Sequence, residues 1–201
     1  MLKFIYFSVV LFFVQNASFA QTIKIDAGLL SSSFDNKKNL PILYDKINSY
    51  SFTAGVDYLE RKWFYLSSQA GYMRVGGQEN NSNFGGDTTH IKDSRGYVHL
   101  NTTVRGYKNF DGLTAFIGVG PYLNILTGNG AFEHRIYKSF YEFKSYIGGK
   151  GELGISYDFN QIKIGIIGFY LMSLSDAAKS EGLKLTNNNL GISLSVGYKL
   201  R

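Results

Sequence analysis

Leu190-Gly191-Ile192-Ser193-Leu194-Ser195-Val196-Gly197-Tyr198-Lys199 alternates a large apolar residue with a small or polar one at every position. A period of two is the signature of a strand whose two faces meet different surroundings. The apolar face carries Leu190, Ile192, Leu194, Val196 and Tyr198. The other carries Gly191, Ser193, Ser195, Gly197 and Lys199. Small residues on the polar face suit the inside of a narrow barrel, whereas a water-facing exterior would be rich in Lys and Glu. The apolar face then points outward, as lipid requires.

Working back from this stretch, the same alternation recurs over 22–33, 50–59, 63–76, 97–108, 113–127, 146–159 and 162–175. In the first, Ile23, Ile25, Ala27 and Leu29 oppose Lys24, Asp26 and Gly28. In the fourth, Val98, Leu100 and Val104 oppose His99, Asn101, Thr103 and Arg105. The segment 162–175 is apolar on both faces and reads less clearly as a strand. Segments of about 10 to 14 residues are long enough for tilted strands to cross a bilayer and exceed the usual soluble strand. Aromatics gather near segment ends, Trp63, Phe110, Phe159 and Tyr198 on one side and Tyr50, Tyr72, Tyr97, Tyr146 and Tyr170 on the other, as two membrane interfaces favour.

Connections alternate short and long. The short ones, Glu60-Arg61-Lys62, 109–112 and Asn160-Gln161, follow even-numbered strands, and the long ones, 35–48, 77–96, 128–145 and 176–189, follow odd-numbered strands. The expectation is an all-β fold: an eight-stranded antiparallel transmembrane β-barrel, an up-and-down meander with short periplasmic turns, long external loops and both termini periplasmic. A closed barrel leaves no unpaired backbone edge in hydrocarbon.

Residues 1–20 read as a signal peptide. Lys3 gives a positive start, 4–14 is apolar but for Ser8, and Ser18-Phe19-Ala20 is a small-x-small cleavage site. A stretch of eleven residues falls short of the roughly 20 a spanning helix needs. Residues 21–201 then form one domain, delivered to the cell outer membrane. The full chain has a formal charge of +6 and Lys3 accounts for one, leaving +5. That scattered excess favours anionic lipid headgroups and draws no nucleic-acid stripe. The absence of cysteine excludes a lipid-modified Cys anchor, a disulfide framework and a thiolate metal site.

Ile23-Lys24-Ile25-Asp26-Ala27-Gly28-Leu29, the Gly118-Val119-Gly120-Pro121-Tyr122 fragment and the closing stretch from Gly191 to Leu200 give the chain a further likeness. It resembles the outer-membrane β-barrel (PorT-like) domain of Bacteroidota and, more loosely, the OmpA and OmpX barrels. The PorT-like resemblance implies an accessory role in protein secretion or surface assembly. The chain departs from many barrels in ending Tyr198-Lys199-Leu200-Arg201 rather than in an aromatic residue.

Inward charges belong to Lys24, Asp26, Asp57, Arg105 and Glu152, joined by Lys150, Asp158, Lys163 and Lys199. Charges in a confined lumen must pair or be hydrated, so they are expected to form a mixed-sign network filling the interior rather than a wide pore. No cofactor or metal site is expected, and no catalysis. His99 and Asn101 have the spacing of the His and Ser of a lipid A deacylase, but Asn stands in the serine's place. Acyl transfer would need a hydrocarbon-lined interior, which the small-polar face does not provide. His90 and His134 stand in loops without metal or triad spacing.

Binding is expected in the loops. The third long loop interleaves aromatics with cations, and Phe132, Arg135, Lys138, Tyr141 and Lys144 are its candidate surface for lipopolysaccharide or a protein partner. Leu40-Pro41-Ile42-Leu43-Tyr44 is a smaller patch of the same kind. The expected partners are outer-membrane lipid and lipopolysaccharide, the β-barrel assembly machinery during insertion, and a secretion or surface protein. A structural or surface-binding role comes first, the PorT-like role second and a lipid A-modifying enzyme third.

Overall fold

The computed structural model describes residues 20–36, 43–81, 89–128, 142–180 and 183–200. They form strands β1 (Ala20–Asn36), β2 (Ile47–Tyr58), β3 (Phe64–Asn81), β4 (Thr89–Phe110), β5 (Leu113–Leu126), β6 (Glu142–Phe143), β7 (Tyr146–Phe159), β8 (Ile162–Ser173), β9 (Ala178–Ser180) and β10 (Leu183–Lys199). Eight long strands pair antiparallel in the order β1-β2-β3-β4-β5-β7-β8-β10, and β10 pairs back onto β1, closing the ring. The short β6 and β9 add a flap at one end, with β9 on β10 and β6 on β9. Of the expected signal peptide, 1–20, residues 1–19 lie outside the described residues, as do 37–42, 82–88, 129–141 and 181–182.

The ring sorts side chains by parity. Leu194 is 55% exposed and its neighbour Ser193 7%. Ile25, Leu29, Val104, Ile117, Leu153 and Ile166 join Leu194 on the outer wall, a continuous apolar belt around the barrel. In water such a belt would cost free energy over its whole area; in hydrocarbon it costs nothing.

Three short links sit at one end, together with the start of β1 and the end of β10. Asp111 and Gly112 both have positive φ, the backbone a two-residue hairpin turn requires, and Gly112 donates its N–H to the Asn109 side chain at 3.2 Å. In the Asn160-Gln161 link between β7 and β8, Asn160 alone has positive φ (53°).

At the opposite end the strands run well past the expected limits. β3 and β4 stay paired out to Asn81 and Thr89, so most of the segment 77–96, expected to be loop, is ladder. β1 and β10 pair to Asn36 and Leu185, taking up parts of 35–48 and 176–189 as well. Polar residues there hide the strands from a reading that looks for an apolar outer face. A strand standing clear of lipid has water on that side, so its outward positions become Ser, Thr, Asn and Lys. The segment 162–175, apolar on both faces, is a full strand, β8, because its inward Ile167, Phe169 and Leu171 pack inside the barrel.

Candidate functional site: the charged lumen and the cap above it

The lumen has two storeys. The lower, nearer the short turns, is ionic. Lys24 pairs with Asp57 at 2.8 Å and donates to Ser67 at 2.8 Å. Arg105 Nε donates to Glu152 Oε1 at 2.6 Å, and Lys150 Nζ lies 2.9 Å from the other oxygen of that carboxylate. Thr103 donates a further hydrogen bond to Glu152 at 2.5 Å, and Arg105 approaches Asp57 at 4.0 Å. Lys150 continues the network to Gln69 and Asn101, and Gln69 donates to Asp26. Asp26 thus meets the network through an amide.

These six buried charges balance: Lys24, Arg105 and Lys150 against Asp26, Asp57 and Glu152. Burying each alone would be costly, so pairing is the condition under which the interior can hold them. Phe116 and Tyr65 lie against the Arg105 guanidinium at 4.5 and 5.8 Å. Two small cavities among these side chains each have room for about one water molecule. At the lower rim, Lys199 and Lys163 share Asp158 at 2.9 and 4.0 Å.

The upper storey corrects the expectation that the interior is small and polar throughout. Leu30, Phe34, Met73, Tyr97, Tyr122, Tyr146 and Leu171 fill it with apolar bulk. Tyr97 and Tyr146, expected in the outward aromatic girdle, point inward and meet edge-on at 5.3 Å. The reason is parity, since Tyr97 is in phase with His99 and Arg105. Inward aromatics lie over a directly paired glycine: Phe116 over Gly154, Tyr122 over Gly148 and Phe169 over Gly191. In these pairs the missing side chain makes the room each ring needs.

Segments from the long-loop end close this storey. Leu43 is fully buried; its carbonyl accepts from Phe34 N and its N–H donates to Glu79 Oε2 at 3.0 Å. Phe143 of β6 packs on Phe34 at 5.6 Å beneath the Arg95 guanidinium, with Ala177, Ala178 and Leu185 beside it in the cap. Leu43, read from sequence as part of an exposed patch, is therefore a cap residue; Tyr44 beside it is exposed, and 40–42 lie outside the described residues.

His99 stands at the junction of the storeys, buried, with Nδ1 2.7 Å from Asn124 Oδ1 and its ring 5.5 Å from that of Tyr122. No serine, threonine or carboxylate is hydrogen-bonded to it among the described residues. The backbone of His90 belongs to β4 rather than to a loop, and His134 lies outside the described residues. Of the candidate loop surface, Phe132, Arg135, Lys138 and Tyr141 lie outside them as well. Lys144 is described: it is half-buried, and its N–H donates to the Ala177 carbonyl, tying the loop's return to the cap.

No protein-family model and no curated protein matches the sequence. Among solved structures, the chain is similar to the Neisserial surface protein A, with a TM-score of 0.53 at 12% identity over 89% of this chain and 97% of that one. Ail of Yersinia pestis aligns with a TM-score of 0.40 at 14% identity, over 88% of this chain and 99% of that one. The N-terminal β-barrel domain of Pseudomonas aeruginosa OprF aligns with a TM-score of 0.41 at 10% identity, over 88% and 98%. The likeness to the Neisserial protein is one of fold: the chain has the architecture of the eight-stranded outer-membrane barrels.

Proposed function

We propose that this chain is an integral protein of the cell outer membrane, exported through a cleaved signal peptide with both termini periplasmic. It acts without catalysis and without a wide pore, as a structural or surface-binding barrel. The observation that carries the reading is the two-storey filling of the lumen. A charge-balanced network below and a close-packed aromatic cap above fill the lumen among the described residues, which supports a barrel closed to ions and substrates. What the barrel offers a partner is its outer wall and its long-loop end. On the latter we place the working surface at Phe132, Arg135, Lys138, Tyr141 and Lys144, with lipopolysaccharide or an acidic protein as its partner.

Planar-bilayer recording tests the closed lumen: the purified barrel should give no large, steady conductance, and a stable open channel would overturn the reading. The PorT-like accessory role differs in one measurable respect. It requires secretion or assembly subunits to co-purify from gently solubilised outer membrane, whereas the role proposed here requires none beyond the assembly machinery met during insertion.

A further inference from the structure

The outer wall of β2, β3 and β4 changes character with height. Lowest in this stretch are Ala54, Ala70 and Leu100, an apolar surface, with Phe52 one outward position up and paired with Tyr72. Above it Tyr50 and Tyr72 stand together with ring centroids 6.5 Å apart, and the Tyr72 hydroxyl reaches up over Gly96. Gly96 is the pairing partner of Arg74. Arg74 is exposed, and its Nε donates to Ser94 Oγ at 2.9 Å, which fixes the guanidinium on the wall and leaves both terminal NH2 groups without a hydrogen-bond partner among the described residues. About 13 Å higher, four strand residues on, Gln78 pairs with the exposed Lys92 on one side and bridges to Asp45, the neighbour of exposed Lys46, on the other.

Three outward cations thus stand above an aromatic pair that stands above an apolar wall. Two exposed acids stand nearby: Asp35 on β1, and Asp45, which bridges to Gln78 between Lys46 and Lys92 and leaves the group a net positive charge. Asp93 and Glu79 of the same two strands are turned inward and buried.

We propose that Lys46, Arg74 and Lys92 form a binding site for the phosphorylated headgroup of an anionic lipid in the outer leaflet, with Tyr50 and Tyr72 at its sugar or glycerol level. Charge complementarity selects phosphate, because a guanidinium held by its Nε presents a fork that fits two phosphate oxygens. The order of surfaces selects a lipid over a free ion: acyl chains meet Phe52 and Leu100, the polar linkage meets the tyrosine hydroxyls, and phosphates meet cations at two depths. The inference rests on the outer-membrane reading above and deepens it by assigning lipid phosphate to residues outside the third loop.

The test uses the full mature barrel reconstituted in phosphatidylcholine nanodiscs doped with bis-phosphorylated lipid A, with the lipid retained after mild delipidation counted by mass spectrometry. Wild type should retain lipid A above its bulk share, and the K46Q/R74Q/K92Q variant should lose at least fivefold of that enrichment. The charge-conserving K46R/R74K/K92R variant should keep most of it. Raising salt should weaken the enrichment, since exposed charges are screened over roughly 10 Å at 0.1 M. Gel mobility that shifts on heating shows each variant folded; if the triple variant is not, R74Q alone should lose at least twofold. Equal retention by wild type and the Gln variant overturns the site. So does equal retention of dephosphorylated lipid A, or full displacement by millimolar inorganic phosphate, which would make it a free-phosphate site. Bilayer conductance is unaffected by any of these outcomes, so failure here is separable from failure of the closed-lumen reading.

Discussion

Arg105 Nε meets Glu152 Oε1 at 2.6 Å across Gly118, which is paired with Arg105 on one side and with Glu152 on the other. A Cβ added at Gly118 would stand 2.9 Å from Arg105 Cγ and 3.0 Å from Glu152 Oε1. The central ion pair therefore spans a strand only because that strand has no side chain there.

Removing either charge strands its partner in the lumen. Arg105→Met or Glu152→Gln should each destabilise the barrel by about 3 to 5 kcal/mol, and the double replacement should recover part of the loss. Unfolding in urea from lipid vesicles measures the cycle, and strictly additive losses would show that the pair is not coupled.

Gly118→Val tests the same relationship from the other side. Both acid and base remain, but a branched side chain fills the space over which they meet. The expected cost is about 1 to 3 kcal/mol, the range for overpacking a filled interior. Gly149→Ala is the control, since a Cβ there meets nothing within 4 Å, and it should be close to neutral.

Much of this was legible in the alternation, and the reason is that a barrel strand has two surroundings and no third. Parity separates Lys24, Asp26, Asp57, Arg105 and Glu152 from Leu194 and Val104, and the small residues that share the first face put it inside, without any knowledge of partners. The cap was not legible by the same route. Tyr97 is inward by parity, yet an aromatic at a strand end also fits a membrane interface, and only the register decides between the two. Leu43 and Phe143 carry no periodic signal, because they sit in connections and are placed by long-range contacts with Phe34, Glu79 and Arg95. A usable signal was present in β1 and β8, whose inward positions turn apolar at Leu30 and Phe34 and at Ile167, Phe169 and Leu171.

The wall and the lumen should respond oppositely to charge. Leu194→Arg places a cation on the apolar belt and should cost on the order of 2 to 4 kcal/mol if that position lies near the bilayer midplane. Tolerance of Leu194→Arg in vesicle refolding, combined with intolerance of a conservative Ser195→Thr, would mean the faces are reversed.

The cap predicts a separation of stability from conductance. Tyr97→Ala with Tyr146→Ala removes two buried rings and should cost several kcal/mol, since a single buried aromatic truncation costs about 3 to 5. The ionic storey below is untouched, so bilayer recordings should stay silent. An open channel in this variant would show that the cap alone closes the lumen.

His99 separates the non-enzymatic reading from the lipid A-modifying one. Its Nδ1 partner is the Asn124 amide, and it is buried in the lumen with its ring against Tyr122, which packs in turn on Tyr146. His99→Ala removes a buried hydrogen bond and leaves Asn124 Oδ1 without this partner, so stability should fall by about 1 to 3 kcal/mol. Mass spectra of lipid A from cells carrying wild type, the His99→Ala variant and no protein should be identical. Loss or gain of an acyl chain that depends on His99 would overturn the assignment, whereas a change common to both proteins would point to an effect of the barrel in the membrane rather than to catalysis.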